Sequence, residues 1–140
     1  MNGFLLDTNV ISELIRSEPD RNVLRWINET EETILFLSVL TLGEVRNGIE
    51  RLNPEKRRGR LESWLTVDLN LRFQDRILSV DEAIAERWGV LSATATKKGR
   101  PVPVIDGLLA ATALHHDLIL VTKNETDVSG TGVAILNPWR

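Results

Sequence analysis

An apolar run stops at a carboxylate in the stretch Gly3-Phe4-Leu5-Leu6-Asp7-Thr8-Asn9-Val10-Ile11. Three consecutive apolar residues before Asp7 are typical of a strand that is covered on both faces in a parallel sheet, although a buried helix has the same pattern. If they form a strand, Asp7 lies at its carboxyl end, where open α/β sheets bind their ligands. Thr8 and Asn9 can then cap the helix that follows.

The remainder of the chain alternates short apolar runs with longer segments of helical periodicity. The runs predict strands at 33–37, 76–80, 118–122 and 133–136, and the periodic segments predict helices at 9–16, 21–28, 39–52, 54–73, 82–98 and 104–116. This alternation predicts an α/β fold with a mostly parallel sheet, helices on both faces and right-handed crossovers.

Length and composition fit one cytoplasmic domain. The chain has 140 residues, of which 42% are hydrophobic and 26% charged, and this predicts a single domain over 1–140. It contains no cysteine, which excludes disulfides and thiolate metal sites. No apolar run approaches the roughly 18 residues of a membrane span, so we expect a soluble protein with no membrane association. The net charge of −3 means that a polyanionic ligand would need local basic patches or a bound cation.

Four carboxylates occur beside predicted ends of strands and helices: Asp7, Glu44, Asp106 and Asp127. A purely structural role can explain individual acids. Asp7 can form a turn, and the helix dipole stabilises Asp106 in the first turn of its helix. Glu44 either completes a capping box with Thr41 or, if Ser38 is the cap, is free to face the strand ends. In a parallel sheet, however, all four could meet at one edge.

Carboxylates that meet in this way need a counterion. Two unit charges about 5 Å apart repel by roughly 3 kcal/mol at an effective dielectric constant near 20, so four such groups would bind protons or recruit a cation. Oxygen ligands without cysteine or a well-placed histidine favour Mg²⁺ or Mn²⁺ over Zn²⁺. A site of this kind serves phosphoryl transfer.

Four stretches and the C-terminal residues resemble a known family. The stretches are Phe4–Ser12, Ser38 with Thr41–Val45, Ile105–Ala113, and Leu120–Asn124 with Asp127. In this order they resemble the four acidic motifs of PIN-domain ribonucleases, and the likeness covers essentially the whole chain. The ending Gly132-Val133-Ala134-Ile135-Leu136-Asn137-Pro138-Trp139 is similar to that of the FitB-like branch of the VapC toxins.

The resemblance implies a three-layer α/β/α sandwich with a five-stranded parallel sheet. It also implies RNA cleavage that depends on Mg²⁺ or Mn²⁺, with a metal-activated water as the nucleophile. The implied partners are a second copy of the chain, in a homodimer or a larger toxin–antitoxin assembly, and a cognate DNA-binding antitoxin that inhibits the toxin. Matching positions give the metal-binding catalytic acids and the residues that support them: Asp7, Glu44, Asp106 and Asp127, with Thr8, Asn9, Thr122 and Asn124.

The fourth acidic position has two candidates. Asn124 follows the last motif strand directly, whereas Asp127 is the later acid, and we favour Asp127. Two basic clusters are candidate contacts for RNA or for acidic residues of an antitoxin, although a charge run on a helix is usually only a solvated face. The clusters consist of Arg57, Arg58 and Arg60, and of Lys98 and Arg100.

Two other classes of protein fit part of the pattern. A haloacid-dehalogenase-like phosphatase also begins with a strand that ends in Asp, but it needs a second carboxylate two positions on, where this chain has Asn9. A phosphoacceptor signalling domain has an acidic Mg²⁺ pocket and a Thr/Lys pair on successive strands, whereas Thr122 and Lys123 are adjacent. Both departures favour the nuclease interpretation.

Overall fold

Five parallel strands form the sheet in the described part of the computed structural model, which covers residues 2–54 and 57–140. The strands are β1 Phe4–Leu6, β2 Leu35–Ser38, β3 Ile77–Leu78, β4 Ile119–Val121 and β5 Ile135–Leu136. Their order across the sheet is β3-β2-β1-β4-β5, and every pairing is parallel. The predicted α/β fold with a five-stranded sheet is confirmed.

Helices cover both faces of this sheet. They are α1 Thr8–Leu14, α2 Arg21–Glu29, α3 Val39–Glu50, α4 Arg58–Ser63, α5 Asn70–Arg72, α6 Glu82–Lys97, α7 Val104–His116 and α8 Glu125–Val128. Successive residues of β1 point to opposite faces of the sheet. Leu6 therefore joins the core formed with α1, α2 and α3, whereas Leu5 joins the core formed with α7. The three predicted layers are therefore present. No helix in the described ranges is long and apolar enough to cross a membrane.

The predicted strand at 33–37 began too early. A short 3-10 helix occupies Glu32–Ile34, and β2 begins only at Leu35. The Arg76 guanidinium donates to the carbonyl oxygens of Glu32 and Leu35, at 2.6 Å in each case, and so holds this turn from the loop before β3. The remaining predicted strands are present but shorter. A contact between residues so far apart in the chain leaves no local pattern in the sequence.

Two helix starts also differ from prediction. The helix predicted over 54–73 begins at Arg58 and is interrupted by a π-helical segment at Trp64–Leu69. The predicted helix residues Glu55 and Lys56 lie outside the described part of the chain. Asp7, rather than Thr8 or Asn9, is the N-cap of α1, since its carboxylate accepts a hydrogen bond from the Thr8 backbone N–H.

The topology creates a crevice beside β1. From β1 the chain moves outward through β2 and β3 and then returns to the other side of β1, where it adds β4 and β5. Ligand sites of open parallel sheets lie at such a reversal, outside the carboxyl ends of the strands. The register pairs Leu6 with Val121, so the next residues, Asp7 and Thr122, emerge side by side at this point.

Candidate active site

Three of the predicted acids line one cavity at the carboxyl edge of the sheet. The cavity has a volume of about 450 Å³, and Asp7, Glu44 and Asp106 all lie on its wall. Asp7 follows β1, Glu44 lies on α3 and Asp106 lies on α7. The chain enters both helices from the same side of the sheet, which is why residues far apart in sequence meet here.

Asp7 is the most enclosed of these acids, with 6% of its surface exposed. Its carboxylate accepts hydrogen bonds from the Thr8 backbone N–H at 2.6 Å, the Thr122 hydroxyl at 2.7 Å and the Asn9 amide at 3.3 Å. Burial raises the pKa of Asp7, the bonds from Thr122 and Thr8 oppose that rise, and the nearby charges of Glu44 and Asp127 add to it. The donors therefore fix the orientation of a carboxylate that burial disfavours.

Glu44 is free of the capping role that its sequence context allowed. The N-cap of α3 is Ser38, whose hydroxyl oxygen accepts from the Leu40 backbone N–H at 3.0 Å. Glu44 consequently lies in the second turn, and one of its carboxylate oxygens accepts a hydrogen bond from the Thr8 hydroxyl. The residue after Asp7 thus ties Glu44 to the same cavity.

Asp106 lies in the first turn of α7, where α6 comes very close. A Cβ at the next residue, Gly107, would lie 3.0 Å from the Trp88 ring, so glycine permits this packing. Burial, followed by the negative charges of Asp7, Asp127 and Glu44, raises the pKa of Asp106 to about 6. The cavity therefore brings together more negative charge than it can easily accommodate without a counterion.

Asp127 stands apart from the other three acids. Asp127 is exposed on α8 and is not among the described residues that line the cavity, whereas Asn124 is one of them. Its charge nevertheless contributes to the raised pKa of both Asp7 and Asp106. The Asn124 backbone N–H donates to the Thr122 hydroxyl at 3.0 Å and so supports the Asp7 network from outside. The role of Asp127 as fourth acid stays a prediction.

The residues around the cavity fit a hydrated, hard divalent cation. Within residues 2–54 and 57–140, no three acidic or histidine side chains form a ready-made metal site. Mg²⁺ is commonly held by only one or two carboxylates, with waters and substrate phosphates as its other ligands. The Asn9 side-chain oxygen is buried without a hydrogen-bond donor in the described structure, which adds an unused oxygen to the carboxylates. This oxygen-only set suits Mg²⁺ or Mn²⁺.

Replacing Asp106 with asparagine should stabilise the metal-free protein. Because the folded-state pKa is about 6 and the ordinary value is 3.8, ionised Asp106 opposes folding. The penalty is complete above about 6 and disappears below 3.8, where the group is protonated in both states. Thermal unfolding in EDTA should give Asp106→Asn the higher melting temperature at neutral pH, with a difference that shrinks on acidification. An unchanged difference across this range would contradict the assigned cause.

Sequence reasoning missed several residues of the cavity wall: Glu13, Arg16, Lys123 and Trp139. Glu13 is a carboxylate with 5% of its surface exposed, and it accepts from the Asp20 backbone N–H at 2.8 Å and pairs with Arg16 at 3.3 Å. The only local signal was the spacing of Glu13 and Arg16 by one helical turn, which is common on ordinary helix surfaces.

The predicted basic clusters lie away from this cavity. Arg58 is paired with Glu50 at 2.7 Å and with Glu62 at 3.0 Å, so it takes part in a surface ion-pair network. Arg100 lines a separate cavity beside Asp127. The other members of the clusters are exposed, namely Arg57, Arg60 and Lys98. None of the five is among the described residues that line the cavity of Asp7, Glu44 and Asp106, called the acid cavity below.

An acidic cavity beside the central strand of a parallel sheet defines the class of protein: an α/β domain whose carboxylates can hold a hard divalent cation. Within this class, the chain matches the family model of the PIN domain over residues 4–129. The chain therefore belongs to the PIN-domain family, as the resemblance of its acidic motifs predicted. This assignment separates it from the two rival classes.

Two relatives and a solved structure match nearly the whole chain. VapC ribonuclease Y4jK of Sinorhizobium fredii is 36% identical over 135 residues, which cover 96% of each protein. Toxin FitB of Neisseria gonorrhoeae is 34% identical over 135 residues, 96% of this chain and 97% of that protein. The crystal structure of FitAcB from Neisseria gonorrhoeae has a TM-score of 0.93 at 34% identity, and the match covers 98% of this chain and 99% of that chain. The comparisons of sequence and of structure thus support the same fold and the same family.

Proposed function

We propose that this chain is a divalent-metal-dependent endoribonuclease and acts in the cytoplasm as the toxin of a type II toxin–antitoxin pair. The observation that carries the proposal is the meeting of Asp7, Glu44 and Asp106 at one cavity in a PIN-domain chain. Relatives named as a ribonuclease and as a toxin, at 36% and 34% identity, support the reaction and the biological role.

Asp7 and Asp106 are the principal candidates to hold the cation, with Glu44 and Asp127 as the remaining acids of the set. When bound, Mg²⁺ or Mn²⁺ supplies positive charge at the phosphate and acidifies a water molecule. The donors around Asp7 keep its carboxylate in one orientation, so little reorganisation accompanies binding. The acids thus act through their charge, and the proposed reaction needs no covalent intermediate with the protein.

Glu44 is suited to handle the proton of the attacking water. The Thr8 hydroxyl engages one of its carboxylate oxygens, which leaves the second to accept a proton. In the proposed hydrolysis, the water oxygen forms a bond to phosphorus while the bond from phosphorus to the 3′-oxygen breaks. The water loses one proton and the 3′-oxygen gains one, so the products carry a 5′-phosphate and a 3′-hydroxyl.

The proposal is tested by cleavage of a 5′-labelled single-stranded RNA with Mg²⁺, with Mn²⁺ and with EDTA. We expect cleavage with either metal, none in EDTA, and recovery when metal is added in excess. Asp106→Asn should be strongly impaired, whereas Asp68→Asn, a change at an exposed acid on the π-helical segment, should match the wild type. Cleavage that persists in EDTA, or an inactive wild type, would contradict the proposal.

The proposed partners are a second copy of the chain and a cognate DNA-binding antitoxin, in a homodimer or a larger complex. The 34% identity to a protein named as a toxin supports an antitoxin as partner. Expression of the wild-type chain alone should arrest growth, and co-expression of its cognate antitoxin should restore it. Normal growth with the wild-type chain alone would contradict the role as a toxin.

Thr122→Val should lower RNA cleavage by roughly 10- to 100-fold, the usual effect of removing an outer partner of a metal ligand. Valine keeps the shape of threonine but removes the hydroxyl that donates to Asp7 at 2.7 Å and accepts from the Asn124 N–H. Thr112→Val is the matched control, since this buried hydroxyl only donates to the Leu108 carbonyl within α7. Equal rates for the two variants would refute the supporting role of Thr122.

A further inference from the structure

Part of the acid cavity is formed by an aromatic ring and two cationic side chains. Trp139, Lys123 and Arg16 line the same cavity as the carboxylates. The Lys123 ammonium lies over the Trp139 ring, 5.4 Å from its centroid. Arg16 is 66% exposed at its side chain and is held by the buried Glu13. The carboxylate chemistry uses none of these three groups.

The C-terminal segment holds Trp139 in place. The Trp139 backbone N–H donates to the Asn137 side-chain oxygen at 3.0 Å, and the Trp139 carbonyl accepts from the Asn22 amide at 3.1 Å. Asn137 in turn donates to Glu125 at 2.8 Å. The ring is half-buried and packs against the core that contains Leu6. The backbone bonds and the packing of the ring together keep Trp139 beside the cavity.

Core packing alone accounts for only part of this arrangement. It explains why Trp139 contacts apolar neighbours, but it does not explain why the ring also borders an acidic cavity with an ammonium group over it. Lys123 is exposed and its long side chain can move aside at little cost. An aromatic ring combined with cations is the arrangement with which proteins bind single-stranded nucleic acid.

We propose that Trp139 is the stacking platform for a nucleobase next to the cleaved phosphate, and that Lys123 and Arg16 contact the flanking phosphates. This inference rests on the proposed function and deepens it. A base that stacks on Trp139 displaces the Lys123 ammonium from the ring, and that ammonium then pairs with RNA instead. The RNA contacts closest to the cut thus come from the cavity wall rather than from the predicted basic clusters.

The platform restricts the substrate to unpaired RNA. A base can stack on a protein ring only after it leaves its neighbours in a helix, so single-stranded segments and loops are favoured. Stacking tolerates sequence, because every base has a π-face. Trp139 is therefore a substrate-positioning residue, and any strict sequence preference comes from other contacts.

The test combines changes in the enzyme and in the RNA. The cut in a labelled single-stranded RNA oligonucleotide is mapped first, and oligonucleotides with one abasic nucleotide at each position flanking the cut are then prepared. Steady-state kcat and KM are measured for wild type, Trp139→Leu and Trp139→Phe. Trp64→Leu is the matched control, because Trp64 packs on the same core but is not part of the described cavity wall. Thermal unfolding shows that each variant is folded at the assay temperature.

One abasic position should lower wild-type kcat/KM by about 5- to 150-fold, the range expected from the loss of one stacked base. Trp139→Leu should show this loss already with intact RNA, mainly in KM, and should lose nothing more at that abasic position. Trp64→Leu should stay close to wild type, and Trp139→Phe, which keeps an aromatic face, should recover most of the activity that Trp139→Leu loses. If wild type and Trp139→Leu lose the same factor at every abasic position, stacking on Trp139 is overturned while the nuclease remains. If wild type cuts no RNA, the proposed function fails and the platform fails with it.

Discussion

Replacing Asp7 with asparagine is expected to lower RNA cleavage by at least roughly 100-fold, since even the outer partners of a metal ligand contribute about 10- to 100-fold. Asparagine keeps the size of the side chain but removes its charge. Its NH₂ group would also face the Thr122 hydroxyl or the Thr8 backbone N–H, which now donate to the carboxylate at 2.7 and 2.6 Å. The variant therefore loses both the charge and the network that orients it.

The measurement is the initial rate of RNA cleavage at saturating Mg²⁺, together with Mn²⁺ binding followed by electron paramagnetic resonance. Because burial raises the pKa of Asp7, its charge opposes folding in the absence of metal. Removal of this charge offsets part of the cost of the lost hydrogen bonds, and thermal unfolding checks that Asp7→Asn is folded at the assay temperature. Asp68→Asn serves again as the exposed control. Cleavage and Mn²⁺ binding at wild-type levels in Asp7→Asn would remove Asp7 from the site.

The sequence was most informative where local pattern and topology agree. The apolar run before Asp7 predicts both a strand and an acid at its carboxyl end, and the sheet places that acid beside Thr122. The position of Glu44 remained open because Ser38 and Thr41 are both good caps. The choice depends on where β2 ends, which is decided by pairing with other strands rather than by nearby residues.

Residues that reach the cavity through long-range packing were not predictable. Trp139 belongs to a C-terminal segment that is hydrogen-bonded to Asn22, which is far away in sequence. Such a contact leaves no periodic pattern in the sequence. Glu13 resembled one half of a helix-surface ion pair, yet its carboxylate is buried and holds the turn at Asp20. Basic residues stood out in the sequence because they are clustered, but Arg58 is engaged with glutamates on the surface. Clustering along the chain was thus a poor guide to position in space.

Replacing Phe73 with alanine is expected to lower the free energy of unfolding by about 3–5 kcal/mol, the usual cost of truncating a buried phenylalanine. Phe73 is 0% exposed and belongs to the core that also contains Leu6, the residue before Asp7. The guanidinium groups of Arg72 and Arg76 lie over its ring, 5.4 and 5.1 Å from the centroid. Truncation would therefore leave a cavity and also remove the ring face that these cations contact.

Urea unfolding followed by fluorescence measures this change, provided that the dependence on urea keeps its slope. Leu71→Ala is the matched control in α5, because Leu71 is 65% exposed and its loss should change stability by no more than about 0.5 kcal/mol. Phe73→Leu should fall between wild type and Phe73→Ala, since it keeps apolar volume but not the ring. Equal stability of Phe73→Ala and Leu71→Ala would mean that the core beneath β1 does not depend on Phe73. The acid at the end of β1 would then be supported by other parts of that core.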